Sequence, residues 1–240
     1  MREKKNKMDA VILFIITILS VRTFGTPLPS DSPEQRLMTW FASYGGETSN
    51  LNLIQRDGGY HLVSTDFISK GGLLMQVPYD IIISDKTIDE GIDAIKSRKK
   101  RKAFRKIKDR EARFIVFCLF EMSKGKRSKW APFFDILKEH VTISLPRTFS
   151  ETELNALQDE LAITEANRRR NVVIEEFGKY TSQLRTIFKS SPHFERYISL
   201  EHYMRWEAKI KVRLTPITSF SKKKKKMHIA NTGHIFDDTR

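Results

Sequence analysis

The sequence is poor in cysteine. Cys118 is the only one among 240 residues, so no intrachain disulfide and no cysteine-based zinc site can form. It lies within the apolar run Ile115 to Phe120, the setting of a buried core thiol, because free cysteine is among the most buried residue types. Long apolar runs are also scarce. Ala10 to Val21 is twelve largely apolar residues. As a helix it would extend only about 18 Å, against roughly 30 Å of hydrocarbon core, so a full membrane span is not expected beyond a possible short N-terminal anchor. No Gly-x-Ser-x-Gly elbow, phosphate-binding Gly-Lys-Ser/Thr loop or His-Glu-x-x-His helix occurs, which removes the hydrolase, nucleotide-hydrolase and zinc-protease sites that those spacings build. The six histidines are scattered, and His228 and His234 fall in a polar stretch without the oriented partners a metal needs. No metal site and no catalytic residue is assigned on these grounds. No internal repeat is visible.

What is abundant is positive charge. The formal net charge is +14, and much of it is concentrated. Lys96 to Arg110 holds ten Lys or Arg against the single Asp109, and Lys222 to Lys226 is five lysines in succession. Such runs are solvated and self-repelling. They suit a solvated face, or contact with nucleic acid, an acidic protein or an anionic membrane surface. The aromatic–glycine pattern of an RNA-binding fold is absent.

The chain length fits one large domain or two small ones and is enough to bury a core. Residues 1–25 combine a basic start, the apolar run and a small-residue cleavage candidate at Thr23-Phe-Gly25, the layout of a secretory signal peptide or short anchor. Residues 26–32 form a Pro- and Ser-rich linker. Ser32, Pro33 and Gln35 then open a helix with Leu37, Trp40, Phe41 and Tyr44 on one face, closed by Gly45-Gly46. Four short β-type pieces follow at Leu51–Ile54, Tyr60–Val63, Leu73–Val77 and Ile81–Ile83, separated by Gly-rich turns and Pro78, which predicts a β-meander. Thr87 to Ile95 reads as a short helix, and 96–110 as a basic loop or exposed helix. Arg110 to Ser123 is a helix apolar all round. Ser150-Glu-Thr-Glu153 is a capping box. Val173, Phe177, Tyr180, Leu184 and Phe188 mark a long amphipathic helix that Ser191-Pro192 breaks. Ser199 caps a last helix carrying Tyr203, Trp206 and Ile210, and residues 216–240 read as a lysine-rich disordered tail.

Three stretches together carry a resemblance. The first runs from Trp40 and Gly45-Gly46 through Asn52-Leu-Ile54 and Gly58-Gly59-Tyr60-His61-Leu62-Val63 to Gly72-Leu-Leu74, Val77-Pro78 and Ile81 to Ser84. The second is Phe117-Cys-Leu119 with Glu121, then Ser128-Lys-Trp130-Ala-Pro132-Phe-Phe134-Asp-Ile-Leu137. The third is Phe149-Ser-Glu-Thr-Glu-Leu154 and the helix after it. In this order they resemble SET-domain protein-lysine methyltransferases of the class that includes the Rubisco large-subunit methyltransferase, over about residues 33 to 214.

The resemblance implies an α+β fold: the N-terminal half of a SET β-fold at 33–95, the basic segment 96–110, then a mostly helical insertion at 111–215. It implies S-adenosylmethionine as cofactor and a protein substrate with a target lysine. A glycine turn lets main chain approach the cofactor where side chains would block it, which makes Gly58, Gly59 and Tyr60 the cofactor-contacting candidates. The family's second glycine is His61 here. Arg213 is the nearest match to an arginine that ends the family's Trp-containing helix near the cofactor. The Asn-His pair and channel tyrosine of the family's C-terminal SET half do not follow Leu214, so this chain is expected to lack that half and to be inactive by itself. Two alternatives differ in class: a non-catalytic protein-binding module derived from a SET protein, and a basic nucleic-acid-binding protein. The N-terminus points to the secretory pathway, whereas Lys222–Lys226 and the family's habit point to nucleus or cytoplasm.

Overall fold

A computed structural model describes residues 10–12, 32–56, 59–140, 145–211, 214–216 and 226–230. Most of the expected leader, linker and lysine tail, together with Gly58 and Arg213, lie outside these. The described residues form a mostly helical α+β fold with small antiparallel sheets. They fall into two compact units, one drawn from 1–87, 129–141 and 213–240, the other from 88–128 and 142–212.

The first unit begins with β1 (Ala10–Ile12) and α1 (Pro33–Ser43). The Ser32 hydroxyl accepts from the Gln35 amide at 3.2 Å, capping α1 as its sequence predicts. Leu37, Trp40 and Phe41 are its buried face. Gly45 ends the helix with φ +81°, a left-handed turn that suits glycine. Gly46 lies against the Phe41 ring, where an added Cβ would come within 2.5 Å.

Next come β2 (Glu47–Thr48), β3 (Leu51–Arg56) and β4 (Gly59–Ser64). β3 and β4 pair antiparallel from Leu51 opposite Ser64 to Arg56 opposite Gly59. Leu53, Tyr60 and Leu62 are buried while Ile54 and His61 are half-exposed, the alternation of a sheet with one covered face.

β5 (Leu73–Pro78) and β6 (Ile83–Ser84) do not continue this hairpin into the expected meander. β5 lies between β2 and β8 (Lys226–Ala230), and β1 lies between β6 and β7 (Leu214–Pro216). The 65–72 connection is the reason. It is longer than a tight hairpin loop, is turned at Asp66, whose carboxylate accepts from the Phe67 amide at 2.7 Å, and turns again at Gly71 with φ +82°. Ile81, expected in a strand, closes a 3-10 turn at Tyr79–Ile81. Two further expectations change. Residues 10–12 form a strand within the stretch assigned to a leader, and residues 226–230 form a strand within the stretch assigned to a disordered tail.

α5 (Ala131–His140) completes this unit and packs on α1 and β4. Phe133, Phe134, Ile136 and Leu137 are buried. The Trp130 indole N–H donates to the Ile81 carbonyl at 2.9 Å, and the Lys129 ammonium donates to the Asp80 carbonyl at 2.7 Å. The aromatic block therefore belongs with the strands, not with the helices of 111–215 that flank it in sequence and among which it was expected.

The second unit is helical. α2 (Asp85–Asp93) leads into it. Its first turn is fixed by Ser84, whose hydroxyl accepts from the Thr87 amide at 3.3 Å while Thr87 Oγ1 accepts from the Ser84 amide at 2.7 Å. α3 (Arg98–Lys106) resolves the basic segment as a helix, with Ala103 and Phe104 buried and Ile107 buried just beyond it. α4 (Arg110–Ser123) has the bounds its sequence predicts, and Ile115 to Leu119 are fully buried, Cys118 included. α7 (Glu160–Phe188) and α9 (Leu200–Lys211) flank α4, which explains why it is apolar on every side. α6 (Glu151–Ala156) carries the predicted capping box, and α8 (Phe194–Tyr197) follows the break at Pro192. On α7, Val173, Leu184 and Phe188 are buried, and Phe177 and Tyr180 are half-buried. Among the described residues no helix is long and apolar enough to cross a membrane.

Candidate functional site

The site the sequence nominates is the end of the β3–β4 hairpin. Gly59 is the first residue of β4 and pairs with Arg56, the last of β3. Tyr60 follows, opposite Gln55, with its ring buried at 4% exposure. Any ligand at this end would meet Gly59 and Tyr60 through main chain, since the Tyr60 ring is committed to the core. His61 has its side chain on the more exposed face, opposite Ile54. The structure brings Gly59 and Tyr60 together by adjacency in one strand. Gly58 and Arg213 lie outside the described residues.

Sequence reasoning missed a polar cluster inside the helical unit, on α9. Glu207 is 1% exposed and pairs with Arg147, whose guanidinium Nη2 and Nε reach one carboxylate oxygen at 2.9 and 3.3 Å. Arg170 of α7 donates to the carbonyls of Arg147 and Phe149, fixing the segment that carries Arg147. The Tyr203 hydroxyl donates to the Glu176 carboxylate of α7 at 2.5 Å. Burial, then the Glu176 charge, push the Tyr203 phenol far above its ordinary range, so it stays protonated. His202 is 7% exposed, and its Nδ1 accepts from Arg196 Nε at 3.2 Å. Burial first, then the cations of Arg196, Arg205 and Lys209, lower its pKa to about 4. A signal was available: Glu207 lies four residues after Tyr203 and three before Ile210, on the face those apolar residues mark, and a carboxylate there must find a partner.

Neither arrangement forms a catalytic constellation. Tyr203 and Glu176 satisfy each other, as do Arg147 and Glu207, and His202 has its Nδ1 taken by Arg196. A second buried carboxylate, Glu121, accepts from Ser128 Oγ at 2.8 Å and pairs with Lys124. Burial, then the Glu121 charge, raise the Cys118 thiol well above its usual value, so it is not a reactive thiolate. A cleft of about 220 Å³ lies among Asp89, Ile92, Asp93, Arg105 and Arg113. Its charges cancel in pairs, Arg105 with Asp93 at 2.6 Å and Arg113 with Asp89 at 3.9 Å. Among the described residues no group of three or more His, Cys, Asp or Glu is placed to hold a metal. No protein-family model matches the chain, and no curated protein matches it.

Proposed function

We propose that the chain carries the N-terminal half of a SET fold together with its helical insertion, and that its reaction class is methyl transfer from S-adenosylmethionine to a protein lysine, as in the Rubisco large-subunit methyltransferase class. The observation that carries the reading is the β3–β4 hairpin. It follows the Trp40 helix and precedes the separate strand β5, and its sequence carries Asp57-Gly58 between Arg56 and Gly59, the order in which the family's motifs occur. Gly59 is a strand residue without a side chain, paired with Arg56 at the end of the hairpin, and Tyr60 buries its ring in the core. Both fit a ligand held by backbone groups.

When bound, S-adenosylmethionine supplies an activated methyl group. The work left to the protein is to hold the lysine amine in line with that methyl and to exclude water, which together lower the barrier by orientation. In this chain the hairpin would contribute backbone contacts to the cofactor, and the packed aromatic block of α5 would brace β4 from behind. These 240 residues contain no adjacent Asn-His pair, and Tyr203, their last tyrosine, is bonded to Glu176 inside the helical unit. By themselves they are therefore expected to bind without turning over.

The test is photolabelling of the purified chain with methyl-labelled S-adenosylmethionine, followed by peptide mapping. The expected result is label on the peptide spanning 56–62, lost in Gly59→Val, with no methylation of lysine peptides. Absence of label, or label elsewhere, overturns the cofactor site. Robust methylation by this chain alone would keep the family and refute its inactivity.

A further inference from the structure

We infer that the exposed face of α3 is a docking surface for the phosphate backbone of nucleic acid, read without regard to base sequence. As a sequence, Lys96 to Arg110 is only a charged segment. Folded, it is a helix whose apolar residues all point one way. Ala103, Phe104 and Ile107 are buried, with Phe104 edge-on to Phe120 of α4 at 5.4 Å. That packing fixes the opposite face outward.

Arg98, Lys99, Lys102 and Lys106 all lie on that outward face and are exposed. Arg98, Lys102 and Lys106 follow at intervals of four residues, so successive charges advance about 6 Å along the axis, comparable to the separation of neighbouring phosphates on one strand. Among the described residues none of these four side chains makes an ion pair or hydrogen bond. The other cations of the helix are engaged in holding it. Arg101 donates to the carbonyls of Ile95 and Lys96, Lys100 to Ser190 Oγ at 3.0 Å, and Arg105 to Asp93. The Lys100 contact brings the end of α7 beside α3, and α7 finishes with the exposed Arg185 and with Lys189 next to Ser190.

The composition of the face selects the partner. An anionic membrane surface is gripped by basic residues together with inserted aromatic or aliphatic ones, and a protein partner needs apolar or aromatic anchors. Among the described residues the exposed large apolar ones are Tyr44, Phe67, Leu157, Leu161, Val172 and Ile174, and none is on α3. A face of cations alone matches a polyanion bound by counterion release. Lysines act there as point charges and carry no base readout.

The test uses the full chain and a fluorescent DNA duplex of about 20 base pairs, titrated at several salt concentrations between about 50 and 200 mM. Expected is binding of similar strength to unrelated sequences, with a steep salt slope. The variant Arg98→Gln/Lys99→Gln/Lys102→Gln/Lys106→Gln should weaken binding at least about tenfold at the lowest salt and make the log–log slope shallower by up to about 3.6, near 0.9 for each phosphate that is no longer neutralised. Its circular dichroism melt should match the parent, because the four side chains hold nothing else. If the quadruple variant unfolds, Arg98→Gln/Lys102→Gln and Lys99→Gln/Lys106→Gln should each show part of the weakening. A companion variant with Lys222 to Lys226 changed to Gln should keep most of the dependence on the α3 charges. The inference is overturned if the duplex does not bind, if the α3 variants bind like the parent, if only the Lys222–Lys226 variant loses binding, or if the chain prefers phosphatidylserine vesicles to duplex.

Discussion

At the scale of single residues, the helical unit is defined by buried charges that have found partners. Arg147 and Glu207 are 12% and 2% exposed in their side chains. Removing one member of such a pair leaves the other charged and dry, which costs more than the pair contributes. Arg147→Ala should therefore lower unfolding free energy by about 3–5 kcal/mol, measured by urea denaturation. Replacing both by Arg147→Met/Glu207→Leu should recover most of that loss. An equal loss in the double variant would show that Arg147 acts through packing alone.

His202 gives a pH dependence with a definite sign. Its folded pKa, about 4, lies below the ordinary 6.5. Between those values the unfolded chain binds the extra proton, so stability rises with pH. The contribution of the neutral imidazole is whole above about pH 6.5 and is lost as pH falls towards 4, by up to about 3 kcal/mol for a shift of that size. His202→Gln should flatten the stability profile across that window and leave it unchanged above pH 7. An unchanged slope would mean that carboxylates carry the acid sensitivity.

At the scale of elements, the helices were the legible part of the sequence because their signals are local. Ser32 and Ser150 each accept from an amide three residues on, as their caps predict, and Asp109 does the same at the start of α4. Ser32→Ala should lower stability by about 1 kcal/mol, seen as a shifted thermal melt. The basic segment was harder to read, since three apolar residues among ten cations are a faint period, and it needed α4 and α7 to fold against. Gly91 shows a contact that no local rule contains. On α2, an added Cβ would come within 2.7 Å of the Phe117 ring of α4. Alanine raises helix propensity by about 1 kcal/mol, but overpacking a core by one carbon costs about 1–3 kcal/mol. Gly91→Ala should accordingly destabilise or at best break even. A gain of a full kcal/mol would show that Phe117 moves aside freely.

At the scale of the whole molecule, what the sequence hid was which strands pair. Leu73–Val77 announces itself as a strand, yet nothing in it names β2 and β8 as its neighbours, because pairing is decided by segments far apart in the chain. The same holds for β1, which joins β6 to β7. It also explains why the aromatic block at Trp130 was grouped by adjacency with the helices that surround it in sequence, and why the strand that carries Tyr60 was legible locally whereas the Arg147–Glu207 pair, 60 residues apart, was not. These long-range pairings make a strong prediction. The strands β7 and β8 close one edge each of β1 and β5, and an uncovered strand edge is a template for association. A chain ending at residue 211 should retain its helical circular dichroism, since the second unit keeps its helices. It should show faster amide exchange in Leu73–Pro78 and self-association that grows with concentration in light scattering. Unchanged exchange in β5, with the shortened chain monomeric, would show that β8 adds nothing to that sheet.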